Sequence, residues 1–199
     1  MDISVIVTNY NYGKLIRRCL RSLLNQNLDK KLYEIIIVDD KSTDESLQAL
    51  KPFENKKNIK IIKNKKNLGV GASARIGVEY AQGKYFVRVD SDDYVQPPFL
   101  SMLYYFLKFN NKYIGVSCDY FLTNNEEKII GQKKFKDANL ACGIMFKTSY
   151  VELLGSYSKK KRIFEDIDLF KRIKKNKIYH LPCPLYNYVK HGKSLTTKK

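Results

Sequence analysis

Three carboxylates fall within four residues at Asp90-Ser91-Asp92-Asp93, directly after the apolar run Tyr85-Phe86-Val87-Arg88-Val89. Like charges this close repel one another, and burying them without a cation is costly. Carboxylate oxygens together with a diphosphate are what Mg²⁺ or Mn²⁺ prefers. The cluster is therefore a candidate metal site, of the kind that neutralises charge as a diphosphate departs. The plainer alternative is an Asp-rich turn that caps the next helix, and the cluster alone does not separate the two. Asp39-Asp40 and Thr8-Asn9-Tyr10 follow two other apolar runs. These two strand ends can hold a nucleobase by hydrogen bonds, with Tyr10 stacking on it, although the same residue types serve ordinary turns and caps. Asp166, beside Glu165, heads a helical pattern. It can remove a proton from an attacking hydroxyl, or merely suit the positive end of a helix dipole. His191, flanked by Tyr188, Lys190, Lys193 and Ser194, can close over phosphates. Imidazole also ligates Mn²⁺ or Mg²⁺, less well than oxygen does; the alternative is an exposed residue on a frayed tail. His180, ahead of Leu181-Pro182, reads as structural.

The elements that must position these residues alternate. Ile3 to Thr8 is a β-branched strand, and Gly13 to Gln26 a helix whose Leu15, Ile16, Cys19, Leu20, Leu23 and Leu24 recur at gaps of three and four. Glu34 to Val38 is a second strand. Ser42 or Thr43 then caps a helix with Asp44 and Glu45 in its first turn. Ile59 to Ile62 and Tyr85 to Val89 are further strands, separated by a helix over Ala72 to Ala81 that ends near Gly83. Strands joined by helical crossovers predict an α/β fold with a mostly parallel, right-handed sheet, which binds ligands at the carboxyl ends of its strands. All three polar clusters sit at such ends. The second half is less regular. A helix starts at Pro97-Pro98 and runs to Phe109; Tyr113–Cys118, Lys128–Gly131 and Cys142–Phe146 are candidate strands; Ile167–Lys174 is helical; and a strand-like piece opens the basic tail from Leu185.

The bulk numbers bound the rest. A chain of 199 residues with 44% hydrophobic content suits one globular domain. It shows no repeat and no linker. No apolar stretch reaches the roughly 18 to 20 residues of a membrane span, and Met1-Asp2-Ile3-Ser4-Val5 lacks the start of a signal peptide. The four cysteines form no C-x-x-C pair, which argues against zinc or redox motifs and fits a cytoplasmic protein. Of 37 basic residues only seven are Arg, and the formal net charge is +17. Specific nucleic-acid readers lean on Arg forks. Scattered Lys instead makes a general positive field, suited to an anionic substrate or to peripheral contact with the inner face of an anionic membrane, or else reflects a Lys-rich solvated surface.

Four segments together resemble glycosyltransferase family 2, the inverting enzymes with the GT-A fold. They are VIVTNYNYGKLIRRCLRSLLNQ, EIIIVDDKSTDES, NLGVGASARIGVEYAQGKYFVRVDSDDYV and EDIDLFKRI. Their order and spacing cover nearly the whole chain, and the resemblance implies a single domain with a nucleotide-binding half, 1–95, and an acceptor-side half, 96–199. The resemblance implies transfer of a sugar from a nucleotide diphosphate sugar, UDP-sugar by default, to an acceptor hydroxyl of a glycan or lipid-linked acceptor in surface polysaccharide or glycolipid synthesis. It implies that Thr8, Tyr10 and Asp40 contact the donor's base and ribose. Asp90 and Asp92 match the D-x-D pair, with Asp92 the direct metal ligand and Asp90 near the ribose. Asp166 matches the catalytic base, His191 a C-terminal contact to metal or diphosphate, and Arg75 a basic residue ahead of the D-x-D strand. Two departures bear on the diphosphate contacts: Ile76 stands where members often have Asn, and Val189, then Lys190, follow the tail tyrosine where many have Arg.

Three rival classes remain for comparison. A metal-dependent nucleotidyltransferase usually carries a Gly-rich basic loop after its first strand, and Thr8 to Lys14 does not fit one. A dinucleotide-dependent oxidoreductase needs G-x-G-x-x-G after a strand, which is absent. A non-enzymatic nucleic-acid-binding domain would place carboxylates against phosphates, so no nucleic-acid partner is expected.

Overall fold

The computed structural model describes residues 1–134, 142–158, 165–173 and 177–192, with the backbone alone for 165–167. The expected roles of Lys193 and Ser194 fall outside the described residues. Strand β1 (Ile3–Asn9) is buried along its whole length. It pairs in parallel with β2 (Tyr33–Asp39) on one side and β4 (Tyr85–Asp90) on the other, and β2 pairs in parallel with β3 (Ile59–Lys63). Apolar residues on both faces suit strands covered by helices on both sides. One face packs Val5, Val7, Ile35 and Ile37 against Ile16, Leu20 and Leu23 of α1 (Gly13–Leu24). The other packs Ile6 and Phe86 against Ala74 and Val78 of α3 (Val70–Glu79).

The parallel half is as the sequence predicts; the second half extends the same sheet. Strand β8 (Met145–Lys147) pairs antiparallel with β4, β6 (Gly115–Thr123) antiparallel with β8, and β9 (Ile178–Val189) parallel with β6. The short β5 (Tyr94–Val95) closes the order β3-β2-β1-β4-β8-β6-β9-β5, with β7 (Ile129–Lys133) paired to β6. Helices α4 (Phe99–Phe109), α5 (Thr148–Leu153) and α6 (Glu165–Arg172) complete the fold.

Several expected bounds shift, among them β6, which runs on to Thr123, and β8, which starts only at Met145, and two of the shifts have a clear physical cause. The helix after β2, α2 (Ser46–Leu50), begins later than predicted. Asp44 sits before it and accepts from the Gly13 and Ser46 amides. This brings the start of α1 so close to α2 that a Cβ at Gly13 would lie 2.6 Å from the Ser46 nitrogen. Strand β9 is also longer than the piece read from Leu185. Pro182 and Pro184 argue against a central strand, but the β6–β9 register shifts beside Asp119, so Cys118 pairs with Leu181 and Asp119 with Pro184. The bulge absorbs what proline cannot donate. All four cysteines are free. Among the described residues, no helix is long and apolar enough to cross a membrane.

Candidate active site

The register places Thr8 between Val38 of β2 and Asp90 of β4. All three polar clusters therefore share the carboxyl edge of the parallel strands. Asp90 ends β4, and Asp92 and Asp93 turn towards β5. Ligand oxygens of Asp90, Asp92 and Asp93 all lie within 4.8 Å of one another.

Each of the three carboxylates meets a different neighbour. Asp93 is buried; its oxygens accept from the Tyr186 hydroxyl at 2.7 Å and the Val189 amide at 2.9 Å. Burial, followed by the charges of Asp92 and Asp90, pushes its carboxyl well above the usual range, against the pull of those two hydrogen bonds. Asp92 Oδ2 lies 2.9 Å from His191 Nε2. Asp90 has Arg88 Nε 3.2 Å from Oδ1 and Cys142 Sγ 2.7 Å from Oδ2. The Tyr12 ring stands edge-on to His191, with centroids 5.4 Å apart. Burial and the nearby Asp92, Asp90 and Asp93 raise the Tyr12 hydroxyl pKa above its ordinary value, so it stays protonated. Arg18 donates to the Asp92 carbonyl at 2.9 Å and lies over the Tyr94 ring.

The loops behind this edge are tied together. Asp39 accepts from the Asn9 amide group at 2.8 Å and from the Ser42 hydroxyl at 2.6 Å. Asn11 Oδ1 accepts from the Thr43 amide at 2.7 Å. Asp40 Oδ1 accepts from Asn64 Nδ2 and the Leu68 amide, each at 2.8 Å, and Oδ2 from the Gly69 amide at 2.7 Å. Asp40 thus anchors the loop that enters α3, where Gly69 adopts φ +89°, a conformation glycine takes at little cost.

Of the site residues named from the sequence, the structure brings together Thr8, Asp90, Asp92 and His191. Tyr10 follows β1 and is 45% exposed, open to stacking. Arg75 lies elsewhere: it pairs with Glu79 at 2.9 Å and donates to the carbonyls of Gly155 and Tyr157, joining α3 to the segment after α5. No contact joins it to the aspartate cluster among the described residues. Asp166 lies in the first turn of α6, and its side chain is outside the described residues. His180 is structural as expected, with Nε2 3.0 Å from Asp119 and Nδ1 3.3 Å from the Ser117 hydroxyl. Sequence reasoning missed Arg18, Cys142, Tyr186 and Arg88. Only Arg88 carried a signal, as a lone cation inside a buried strand.

The donor set fits a divalent cation. It combines the carboxylate oxygens of three aspartates, within 4.8 Å of one another, with the His191 imidazole beside Asp92. Asp92 and His191 would hold the ion; both Asp93 oxygens are bound by β9, and the Asp90 oxygens, expected from the sequence as a ligand, meet Arg88 and Cys142 instead.

A family comparison agrees with this fold. The chain matches the model of Glycosyl transferase family 2 over residues 4–186, and it belongs to that family. Over 112 residues it is 44% identical to the poly(ribitol-phosphate) beta-glucosyltransferase of Bacillus spizizenii, a match covering 55% of this chain and 18% of that protein. The chain therefore corresponds to a small part of that relative's length. The crystal structure of S. aureus TarS 1-349 in complex with UDP-GlcNAc superposes with a TM-score of 0.83 at 24% identity, covering 100% of this chain and 61% of that one. The mannosyltransferase PcManGT from Pyrobaculum calidifontis, in complex with GDP-Man and Mn²⁺, superposes with a TM-score of 0.77 at 17% identity, covering 96% and 58%. At these identities the likeness establishes the fold, which is GT-A.

Proposed function

We propose that this domain is an inverting glycosyltransferase. In this reading it moves a sugar from a nucleotide diphosphate sugar, UDP-sugar by preference, to an acceptor hydroxyl in polysaccharide or glycolipid synthesis. The observation that carries the reading is the meeting of Asp92 and His191 beside Asp90, at the strand edge that also carries Thr8 and Tyr10. The name of the Bacillus relative, a poly(ribitol-phosphate) glucosyltransferase, supports a hydroxyl-bearing polymer as the class of acceptor, and the nucleotide sugar of the TarS complex supports UDP as the default.

Thr8 and Tyr10 line the side of the edge assigned to base and ribose, with Tyr10 offering its exposed ring for stacking, and Asp40, buried with both oxygens bound, shapes the loop beside them. Asp90 faces the ribose, and Asp92 with His191 faces the diphosphate. Asp92 and His191 would hold Mn²⁺ or Mg²⁺, which would supply positive charge against the leaving diphosphate. Asp166, at the start of α6, accepts the proton of the acceptor hydroxyl as that oxygen bonds to the anomeric carbon and the bond to the diphosphate breaks. One displacement inverts the anomeric centre once. Arg75 supports the diphosphate side indirectly, by fixing α3.

Peripheral contact with an anionic membrane, on the cytoplasmic side, belongs to the same proposal. Tyr105 and Phe109 of α4 are 45% and 75% exposed, with stacked rings. Lys108 and Lys112 flank them, each over a neighbouring tyrosine, and Lys147 reaches the Asn111 carbonyl. Aromatic rings with lysines around them suit an anionic lipid surface.

A thermal-shift screen of nucleotide sugars with and without Mn²⁺ tests the donor assignment, because a ligand that binds the folded state raises its apparent stability. A UDP-sugar should raise the midpoint only when Mn²⁺ is present. No response to any nucleotide sugar would refute the reading.

A further inference from the structure

Arg88 is out of character with its surroundings. It lies inside β4 between Val87 and Val89 and is 2% exposed; a guanidinium buried there is tolerated only if paired. Its Nε lies 3.2 Å from Asp90 Oδ1, and its Nη2 donates to Cys142 Sγ at 3.1 Å. The Cys142 thiol in turn meets Asp90 Oδ2 at 2.7 Å. The three side chains close a ring. The Gly143 amide donates to the Arg88 carbonyl at 2.9 Å, which holds Cys142 against β4. Neither Arg88 nor Cys142 belongs to the donor-facing set described above.

We propose that Arg88 and Cys142 are positioning residues that fix the Asp90 carboxylate for nucleoside diphosphate binding. The inference rests on the donor reading above. A carboxylate gripped at one oxygen can still rotate; gripped at both, it presents a single orientation before the ligand arrives, which lowers the cost of binding. Arg88 also supplies the positive charge that lets Asp90 sit beside Asp92 and Asp93. Cys142 supplies direction. A serine hydroxyl can donate in its place, whereas an alanine cannot.

The experiment is calorimetry of UDP binding in the presence of Mn²⁺, with thermal unfolding to confirm each variant folds. Cys142→Ala should weaken binding about 10-fold, the scale found when groups orienting a ligand shell are removed, and Cys142→Ser should stay close to wild type. Arg88→Met should weaken binding more, but it can also unfold the chain, so the Cys142 pair decides. If Cys142 acts through Asp90, Cys142→Ala adds nothing to the loss already caused by Asp90→Asn. Two additive losses, or Cys142→Ala binding as tightly as wild type, would overturn the positioning role while leaving the donor reading intact. A wild-type protein that binds no UDP overturns the donor reading and this inference together.

Discussion

His191 Nε2 lies 2.9 Å from Asp92 Oδ2, although 99 residues separate the two in the chain. Two neighbouring contacts enforce the meeting. Asp93 accepts from the Val189 amide at 2.9 Å, so the residue after Asp92 holds the strand end two residues before His191. Strand β5 pairs Tyr94 with Asn187, which fixes the register of that approach. An acidic turn and a histidine near the other end of the chain thereby become one candidate metal site.

Asp92→Ala is expected to abolish the Mn²⁺-dependent part of nucleotide-sugar binding, and His191→Ala to weaken it about 10-fold or more. Calorimetry with and without Mn²⁺ checks both. Equal donor affinity in wild type and Asp92→Ala would remove the metal role.

Asp166→Asn should bind donor and metal as the wild type does, yet lose about 100- to 10,000-fold in turnover, the range for removing a general base. Product formation under donor saturation is the measurement. Turnover within a few-fold of wild type would mean that another group takes the proton.

Asp40→Ala leaves the Leu68 and Gly69 amides and Asn64 without their acceptor. Orphaned buried donors cost about 1–3 kcal/mol each, part of which water can recover at a half-buried loop. A net loss of about 3 kcal/mol should lower the unfolding midpoint by roughly 6–12 °C in a chain this size. A midpoint unchanged in scanning calorimetry would show that the loop does not depend on Asp40.

Burial pushes the Cys118 thiol up from 9.0 to about 12, and the Cys19 thiol also well above its ordinary value. The folded state therefore keeps protons that the unfolded chain releases first. The resulting stability is complete below the unfolded thiol value and is lost as pH rises from about 9 through about 12. Denaturant midpoints measured across that window should fall, and Cys118→Ala should flatten the slope even though its midpoints start lower.

Phe109→Asp combined with Lys112→Glu is expected to cut co-sedimentation with phosphatidylglycerol vesicles at least about 5-fold, at the roughly 1 kcal/mol that each surface lysine contributes. Neutral vesicles serve as the reference. Unchanged binding to the anionic vesicles would clear this helix end of a membrane role.

The sequence alone determined the parallel half of the fold. Its β-branched runs, its helical periodicity and the polar residues at strand exits are local patterns, and they put Thr8, Asp40 and Asp90–Asp93 on one edge before any coordinates. The four spaced segments carried the family. Tertiary structure decided what each carboxylate touches, because those partners arrive from strands with no shared local pattern: Cys142 ahead of β8, and Tyr186, Val189 and His191 along and beyond β9. It alone showed that Asp40 anchors a loop and that Arg75 ties α3 to the segment after α5. Both outcomes depend on where backbone amides and carbonyls end up, and spacing in sequence does not encode that.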